Sequence, residues 1–593
     1  MNHESKVSGD AQIESSNVIR LHGVGNAVTP LAAALSAPVL PGRLPDGYVA
    51  APDGIYHLEQ DEAGDEHPVW ICGRIEVVGL SRRVCGTGWG RVVDIVDSDG
   101  QTHRRLIDEA LFSGASAALL RPLLDCGLRI GKGSETRKQV ADFLGAWRPQ
   151  ERFLRVSQTG WVDDKADTFV LANGSVIGRK KSILERDSGS LGQAAVPKGS
   201  LRGGQEEVAA KCVGNPLMLL ALSQAFAGPV LQLFGLESGG FHFRGASSKG
   251  KTTLLGLAAS VWGGSGYVQS WRATDNALET VASGCSGGLL ALNELHEVSP
   301  QVAGEIVYML ANGKGKSRMT SSGSLKSSDT WTIAILSSGE ISLADHIASV
   351  GKKIHAGQEI RFVDIEADGR AYGAFNNLHG EATSMAFVDK LNRSAAIHHG
   401  HAGKVFVEQL IESTGNREQM LKIMSGFVDK AIKVHDLERD AQVLRVLKKF
   451  AVAALAGEMA TRFGVTGWTR GEAFNGVLES VNDWLKGRDE ASASQIAASV
   501  ERTRNYLGAH LDRFEPIGSG EAVDGWQDDA WIYFRPETWL RIHGSHDAQQ
   551  AARLHKTANL LKTDKGDTLQ FRMGRSTPGR PKAYAVSITV LEA

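Results

Sequence analysis

Residues 239–263 read GGFHFRGASSKGKTTLLGLAASVWG, and the rest of the chain is organised around them. Gly245 to Thr252 match the pattern G-x-x-x-x-G-K-[ST] at every fixed position. Both flanks agree with it. Phe241-His242-Phe243 reads as a short buried strand. Thr253 to Val261 is apolar at helical spacing, and Gly263-Gly264 stops it. Strand, glycine-rich turn and helix in that order build an anion cradle. Backbone N–H groups along Gly245, Ala246, Ser247, Ser248, Lys249, Gly250, Lys251, Thr252 and Thr253 can wrap phosphate oxygens, and the helix N-terminus adds partial positive charge. Lys251 is then the cation for the β- and γ-phosphates, and the Thr252 hydroxyl is a ligand for Mg²⁺. The expected ligands are ATP and Mg²⁺.

Downstream, strands and helices alternate over residues 212–400, which implies a parallel sheet with helices on both faces. Asn215–Leu233 reads as a helix leading into the loop strand. Val268–Trp271 is a candidate second strand, and Thr274 caps a helix to Ser283. Gly288-Leu-Leu-Ala-Leu-Asn293-Glu294 is an apolar strand ending in polar residues. That position usually carries Asp-Glu, where Asp orients a metal-bound water and Glu polarises the attacking water. Asn293 can hold a metal water but brings no charge; Glu294 keeps its place, with Glu297 as a further carboxylate. Ser299-Pro300 opens the next helix, which ends near Asn312-Gly313. Lys314, Lys316, Arg318 and Lys326 then fall in a Gly/Ser-rich stretch without acids, just before the strand Trp331–Leu336. A hairpin here would project cations, for a phosphodiester backbone, for nucleotide phosphates or for solvent. Ser337 or Ser338, at the tip of that strand, can sense a γ-phosphate or close a turn. Arg361, just before a fifth strand, reads as an arginine finger for a neighbour's nucleotide or as a surface ion pair.

The remaining segments frame this core. At 593 residues, with 42% apolar and 22% charged residues, the chain has the composition of a soluble globular protein of several domains. Its net charge of −2 gives no global attraction to nucleic acid, so such binding must be local. The five cysteines are scattered without a C-x-x-C pair, which excludes a disulfide or zinc framework and suits a cytoplasmic setting. No signal peptide or membrane span is expected. Residues 1–45 read as a flexible arm and 46–187 as an α+β domain. In the latter, Trp147, Trp161 and Arg148 can stack on bases or pack a core. Residues 188–211 read as a linker. Residues 401–485 show apolar positions at helical spacing, as in a helical lid, where Arg445, Lys448 or Lys449 can reach nucleotide. Residues 486–593 read as a winged-helix-like domain: helices over Ser494–His510 and Asp547–Lys562, strands at Trp531–Phe534, Thr568–Met573 and Ala583–Thr589. From Arg541 onward nine Lys/Arg face four Asp/Glu. Arg572, Arg575, Arg580 and Lys582 cluster on the basic wing, and Arg553 and Lys556 lie on its helix. Nucleic acid and protein docking are both open to this module.

The stretches FRGASSKGKTT, WRATDNALE, LLALNELHEV, YMLANGKGKSR, LSSGEISLADH and AGQEIRFVDI resemble the helicase-like family called domain-of-unknown-function 927. The likeness spans residues 45 to 515. That family is similar to AAA+ and superfamily-3 replicative helicases of bacteria and mobile elements. The resemblance implies an α/β P-loop NTPase core of AAA+-like type and an ATP-dependent DNA helicase or translocase. It also implies a homo-oligomeric ring, by analogy a hexamer, acting on single-stranded or forked DNA beside a primase or replication initiator. Asn293 departs from the family's usual Asp. No primase or polymerase metal motif is present, so priming is not implied. A nucleotide-switched DNA-binding or helicase-loader protein, and an NTPase of a phage-defence system, use the same motifs.

Overall fold

Five strands set the frame in which the glycine-rich loop sits. The structure is a computed structural model that describes residues 44–185, 189–319, 325–326, 328–352, 354, 356–413, 417–519, 522–545, 547–564 and 568–591. The strands are β1 (Gly239–Arg244), β2 (Gln269–Ser270), β3 (Leu289–Asn293), β4 (Ala334–Gly339) and β5 (Phe362–Glu366), in the order β2-β3-β4-β1-β5. All neighbours are parallel; β1 aligns Gly239 with Ala334 of β4 and Gly240 with Phe362 of β5. β1, β3 and β4 are buried along nearly their whole length because helices cover both faces.

The helices are α1 (Pro216–Ala225), α2 (Ala227–Phe234), α3 (Lys251–Ala259), α4 (Asp275–Gly284), α5 (Pro300–Asn312), α6 (Leu343–Ala348) and α7 (Ala356–Arg361). The single helix expected over Asn215–Leu233 is in fact α1 and α2, bent by 52°. Pro229 accounts for the break: it has no N–H, and its ring cannot sit against the carbonyl of Ala225. The freed Ala225 carbonyl accepts a 2.7 Å bond from the Trp262 indole instead. No single described helix is long and apolar enough to cross a membrane; the bent α1–α2 pair passes on composition, yet every residue of α1 is buried.

Four further helices follow α8 (Ser384–Ile397): α9 (His401–Ser413), α10 (Arg417–Val434), α11 (Ala441–Arg462) and α12 (Glu472–His510). They share one continuous apolar core with the sheet, as where Phe450 of α11 meets Phe241 of β1 at 4.8 Å between ring centroids. α12 is 39 residues long and runs through the expected boundary at residue 485. Helix formers such as Lys486 and Arg488 carry it across. The last segment has two smaller apolar cores of its own. Its sheet joins Phe514–Pro516, Gly525–Gln527, Trp531–Phe534, Lys582–Ser587 and Leu561–Lys562, beside helices α13 (Pro536–His543) and α14 (Ala548–Thr557). The helix expected to Lys562 ends at Thr557, and the expected strand 568–573 keeps only Phe571–Arg572.

By compactness the chain divides into Met1–Arg155 with Lys181–Glu185, and Val156–Lys180 with Arg186–Ala593. The first unit holds a three-stranded meander (48–72) and a five-stranded sheet, with helices Ser116–Asp125 and Ser134–Ala146. Its Trp147 is buried against Phe143, so this ring packs a core. The second unit claims residues 156–180, which the sequence places with the N-terminal domain. Trp161 is buried there and donates its indole N–H to the Pro229 carbonyl at 3.0 Å. The expected linker is largely helical: Gly189–Ala194 and turns over Leu201–Cys212 bury Leu191, Val208 and Ala209. Those apolar side chains outweigh the glycines and serines around them.

Candidate nucleotide site at the carboxyl edge of the sheet

Every strand of the central sheet ends on the same edge, so the segments after β1, β3, β4 and β5 meet there. The loop after β1 leaves Ala246 to Lys249 exposed and turns tightly at two places. Gly250 has φ +97°, and a Cβ there would stand 2.6 Å from the Phe375 ring. Ser248 is left-handed at φ +61°, a conformation a non-glycine residue adopts at a cost. α3 then starts at Lys251 with its N–H groups facing the loop.

Lys251 is buried, and its ammonium donates to the carbonyls of Gly245 at 2.8 Å and Ala246 at 2.6 Å. Thr252, exposed one residue on, donates its hydroxyl to Asn293 Oδ1 at 3.2 Å. Ser338 donates to the same oxygen at 2.7 Å and accepts from the Glu294 N–H at 3.4 Å. Three segments far apart in sequence thus converge on one amide oxygen. Asn293 uses that oxygen as an acceptor, as a carboxylate in its place would. Glu294 takes φ +62°, and its carboxylate lies 3.1 Å from His296 Nδ1. The neighbouring serine is different: Ser337 is buried between His242 at 3.0 Å and the Trp271 indole at 2.9 Å. Glu297 is engaged by the Ser270 hydroxyl.

The oxygens of Thr252 and Asn293 suit a hard cation such as Mg²⁺, and the loop amides with Lys251 suit phosphates. Beneath the loop, Arg244 pairs with Asp364 at 2.6 Å. Burial raises the Asp364 carboxyl to about 7, with Arg244 pulling the other way.

One supporting segment has no motif to announce it. After β5, Asp368 accepts the Ala246 N–H at 2.7 Å, the Ala374 N–H reaches the Lys249 carbonyl at 2.9 Å, and Phe375 lies on Gly250. Arg370 anchors this strap to α12 through Glu479 and Asp483, at 3.3 and 2.5 Å. Only the glycine at 373, whose φ is +73°, hints at it in the sequence.

Two other groups of expected residues lie elsewhere. Arg361 precedes β5, so it sits at the amino edge, far from the loop of its own chain. Lys449 is there as well, beside Ser238 and Gly239 at the start of β1. It cannot serve the nucleotide of its own chain as the lid reading expects, because α11 meets the sheet at the wrong end. Arg445 and Lys448 are exposed on the same helix. The basic stretch forms a short hairpin in which Arg318 aligns with Lys326 and Met319 with Leu325; residues 320–324 lie outside the described residues. Its cations are not all free, although the stretch itself contains no acid. Lys316 pairs with Asp275 at 2.7 Å, and Arg318 pairs with buried Glu279 at 2.8 Å and Asn276 at 2.6 Å. The acids come from α4, forty residues upstream. Lys314 is exposed. Arg572, Arg575, Arg580 and Lys582 are all exposed around the Lys582–Ser587 strand and the turn before it.

Residues 48–330 match the family described as "Domain of unknown function (DUF927)". No curated protein matches the chain. A solved structure titled "SCCmec type IV Cch - active helicase" aligns with a TM-score of 0.65, covering 92% of this chain and 99% of that one at 15% identity. At that identity the likeness is one of fold. A second, titled "The A form apo structure of NrS-1 C terminal region-CTR", covers 67% of this chain and 88% of that one at 12% identity, with a TM-score of 0.27.

Proposed function

We propose that this chain, whose residues 48–330 belong to the DUF927 family, is an ATP-dependent DNA helicase or translocase of a replication or mobile-element system, working as a ring. The observation that carries the reading is the convergence of Thr252, Asn293 and Ser338, with Glu294 beside them, at the mouth of the glycine-rich loop. The helicase named above shares the fold over nearly its whole length, which supports the same class of activity.

In this reading the loop amides and Lys251 hold the phosphates of ATP, and Thr252 with Asn293 holds Mg²⁺. Bound ATP supplies the phosphoanhydride, and the metal neutralises its charge. Glu294 orients and polarises a water, and Ser338 keeps the Asn293–Glu294 pair in place. Arg361 belongs to the neighbour's nucleotide, a reading supported by its place before β5, at the edge away from its own loop. Helix α12 backs the strap behind the loop, and the last domain, winged-helix-like, meets DNA with Arg572, Arg575, Arg580 and Lys582. The hairpin after α5 meets the DNA backbone within the ring. The partners are single-stranded or forked DNA, further copies of this chain and a primase or initiator, in the cytoplasm.

The test is ATP hydrolysis by the pure protein with and without single-stranded DNA. DNA stimulates turnover several-fold, and Lys251→Ala abolishes it. Equal rates for wild type and Lys251→Ala, with no response to DNA, would end this reading. The neutral Asn293 favours a second one, in which ATP is a slow switch that assembles the protein on DNA. Asn293→Asp separates the two: a large gain in turnover supports the switch, and little change supports the motor.

A further inference from the structure

At the amino edge of the sheet the chain brings together two partly buried cations. Arg361 ends α7, and Lys449 comes from the middle of α11; they meet beside the first residues of β1. A Cβ added to Gly239 would stand 2.5 Å from the Lys449 ammonium, so glycine is what admits this cation. The ammonium donates to the Ser238 carbonyl at 3.4 Å, a long bond for a buried charge. Burial brings Lys449 down to about 8; the Glu237 carboxylate opposes that and the Arg361 charge adds to it.

Arg361 is held from three sides. Its Nη1 donates to the Gly357 carbonyl at 3.1 Å, and its guanidinium lies 5.0 Å from the Tyr308 ring centre. Its buried Nε has no hydrogen bond, and the Glu237 carboxylate is 3.7 Å away. Glu237 is 72% exposed, and Tyr308 is 47% exposed beside it. Among the described residues, two cations thus share one solvated carboxylate. Placing an ammonium beside a guanidinium out of water is unfavourable unless an anion answers them, and a methionine would pack at Lys449 without that penalty.

We propose that Lys449 and Arg361 together form a two-cation site for the terminal phosphate of an ATP held by the glycine-rich loop of a second copy of this chain. The inference rests on the shared-site reading above and adds to it a residue from the helical bundle. Arg361 offers a planar fork for two phosphate oxygens, and Lys449 a compact charge for a third. Both then face the charge on the phosphoryl group as it transfers. Because α11 belongs to the bundle, any movement of the bundle carries Lys449 toward or away from that phosphate.

The experiment uses the full chain and three variants, Lys251→Ala, Arg361→Ala and Lys449→Met, alone and mixed in pairs. Thermal melting reports folding, and a fluorescent ATP analogue reports binding. Lys449→Met is expected to keep its melting temperature, bind the analogue within about twofold of wild type and lose about tenfold or more in DNA-stimulated turnover. Mixed in equal amounts with Lys251→Ala, it recovers activity, because about a quarter of the junctions then pair an intact loop with intact cations. Wild-type turnover in Lys449→Met would overturn the proposal. So would a loss that mixing does not repair while the Arg361→Ala and Lys251→Ala mixture does. If that second mixture also recovers nothing, sites are not shared between copies, and the ring reading falls together with this one.

Discussion

Asn293 is the residue on which the site's chemistry turns. Its amide oxygen collects hydroxyl donors from Thr252 and Ser338, so the local geometry asks for an acceptor, and charge is a separate matter. A carboxylate at this place would bind a divalent cation more strongly than the amide does. Ser338 is the more sensitive partner. It ties Asn293 to the backbone of Glu294, whose left-handed φ of +62° needs support. Ser338→Ala removes a bond worth about 1–1.5 kcal/mol, so turnover should fall about tenfold with ATP affinity nearly unchanged. Steady-state kinetics beside analogue binding check this: a rise in KM at constant kcat contradicts the placement. The role of Ser338 over Ser337 was not legible in the sequence, where two adjacent serines end one strand. Alternation along β4 decides it, and only the packing of His242 and Trp271 tells which serine faces inward.

At the scale of elements, the strap after β5 holds the glycine-rich loop and α4 holds the basic hairpin, each from a remote part of the sequence. Gly250→Ala places a methyl group against the Phe375 ring in a backbone conformation that alanine resists. The variant should melt lower by a few degrees, a cost of about 1–2 kcal/mol, and lose most of its affinity for ATP. Calorimetry with and without ATP measures both effects. In α4, Glu279 is buried under Arg318 and accepts the Lys316 N–H at 3.2 Å. Glu279→Gln releases Arg318, so affinity for single-stranded DNA should rise and its salt dependence should steepen by about one charge. Titrations at two salt concentrations decide it; an unchanged slope would mean that Arg318 does not face DNA. The glycine-rich loop and strands β1, β3 and β4 were legible because local pattern writes them: apolar runs, a glycine turn, a helix start. The strap, the acids of α4 and the position of Lys449 were not, since each depends on a neighbour remote in sequence. The break between α1 and α2 was written in Pro229, but the unbroken apolar run around it reads as one helix.

On the scale of the whole molecule, one core joins the sheet to the helical bundle, and α12 leads from it to the last domain. Acid should attack that core through His242 of β1. Burial is the main cause that holds its ring neutral down to about 4, and its nitrogens meet Ser337 and the Ile341 carbonyl at 3.0 Å each. An unfolded chain takes up that proton near 6.5, so stability falls as pH drops from 6.5 toward 4, by roughly 3 kcal/mol in full. Melting temperatures at pH 7 and pH 5 test this, and His242→Gln should flatten the difference. The strap ties the glycine-rich loop to α12 through Arg370, and α11 carries Lys449 under the sheet. Nucleotide and DNA would thus act on connected parts of one body. In the proposed function the chain spends ATP to separate DNA strands. Strand displacement on a forked duplex tests it most directly, comparing the full chain with Glu294→Gln, which should bind ATP and DNA but not hydrolyse. The expected result is ATP-dependent separation by the native chain and none by the variant. Equal separation by both, or none by a native chain that hydrolyses ATP, would contradict it.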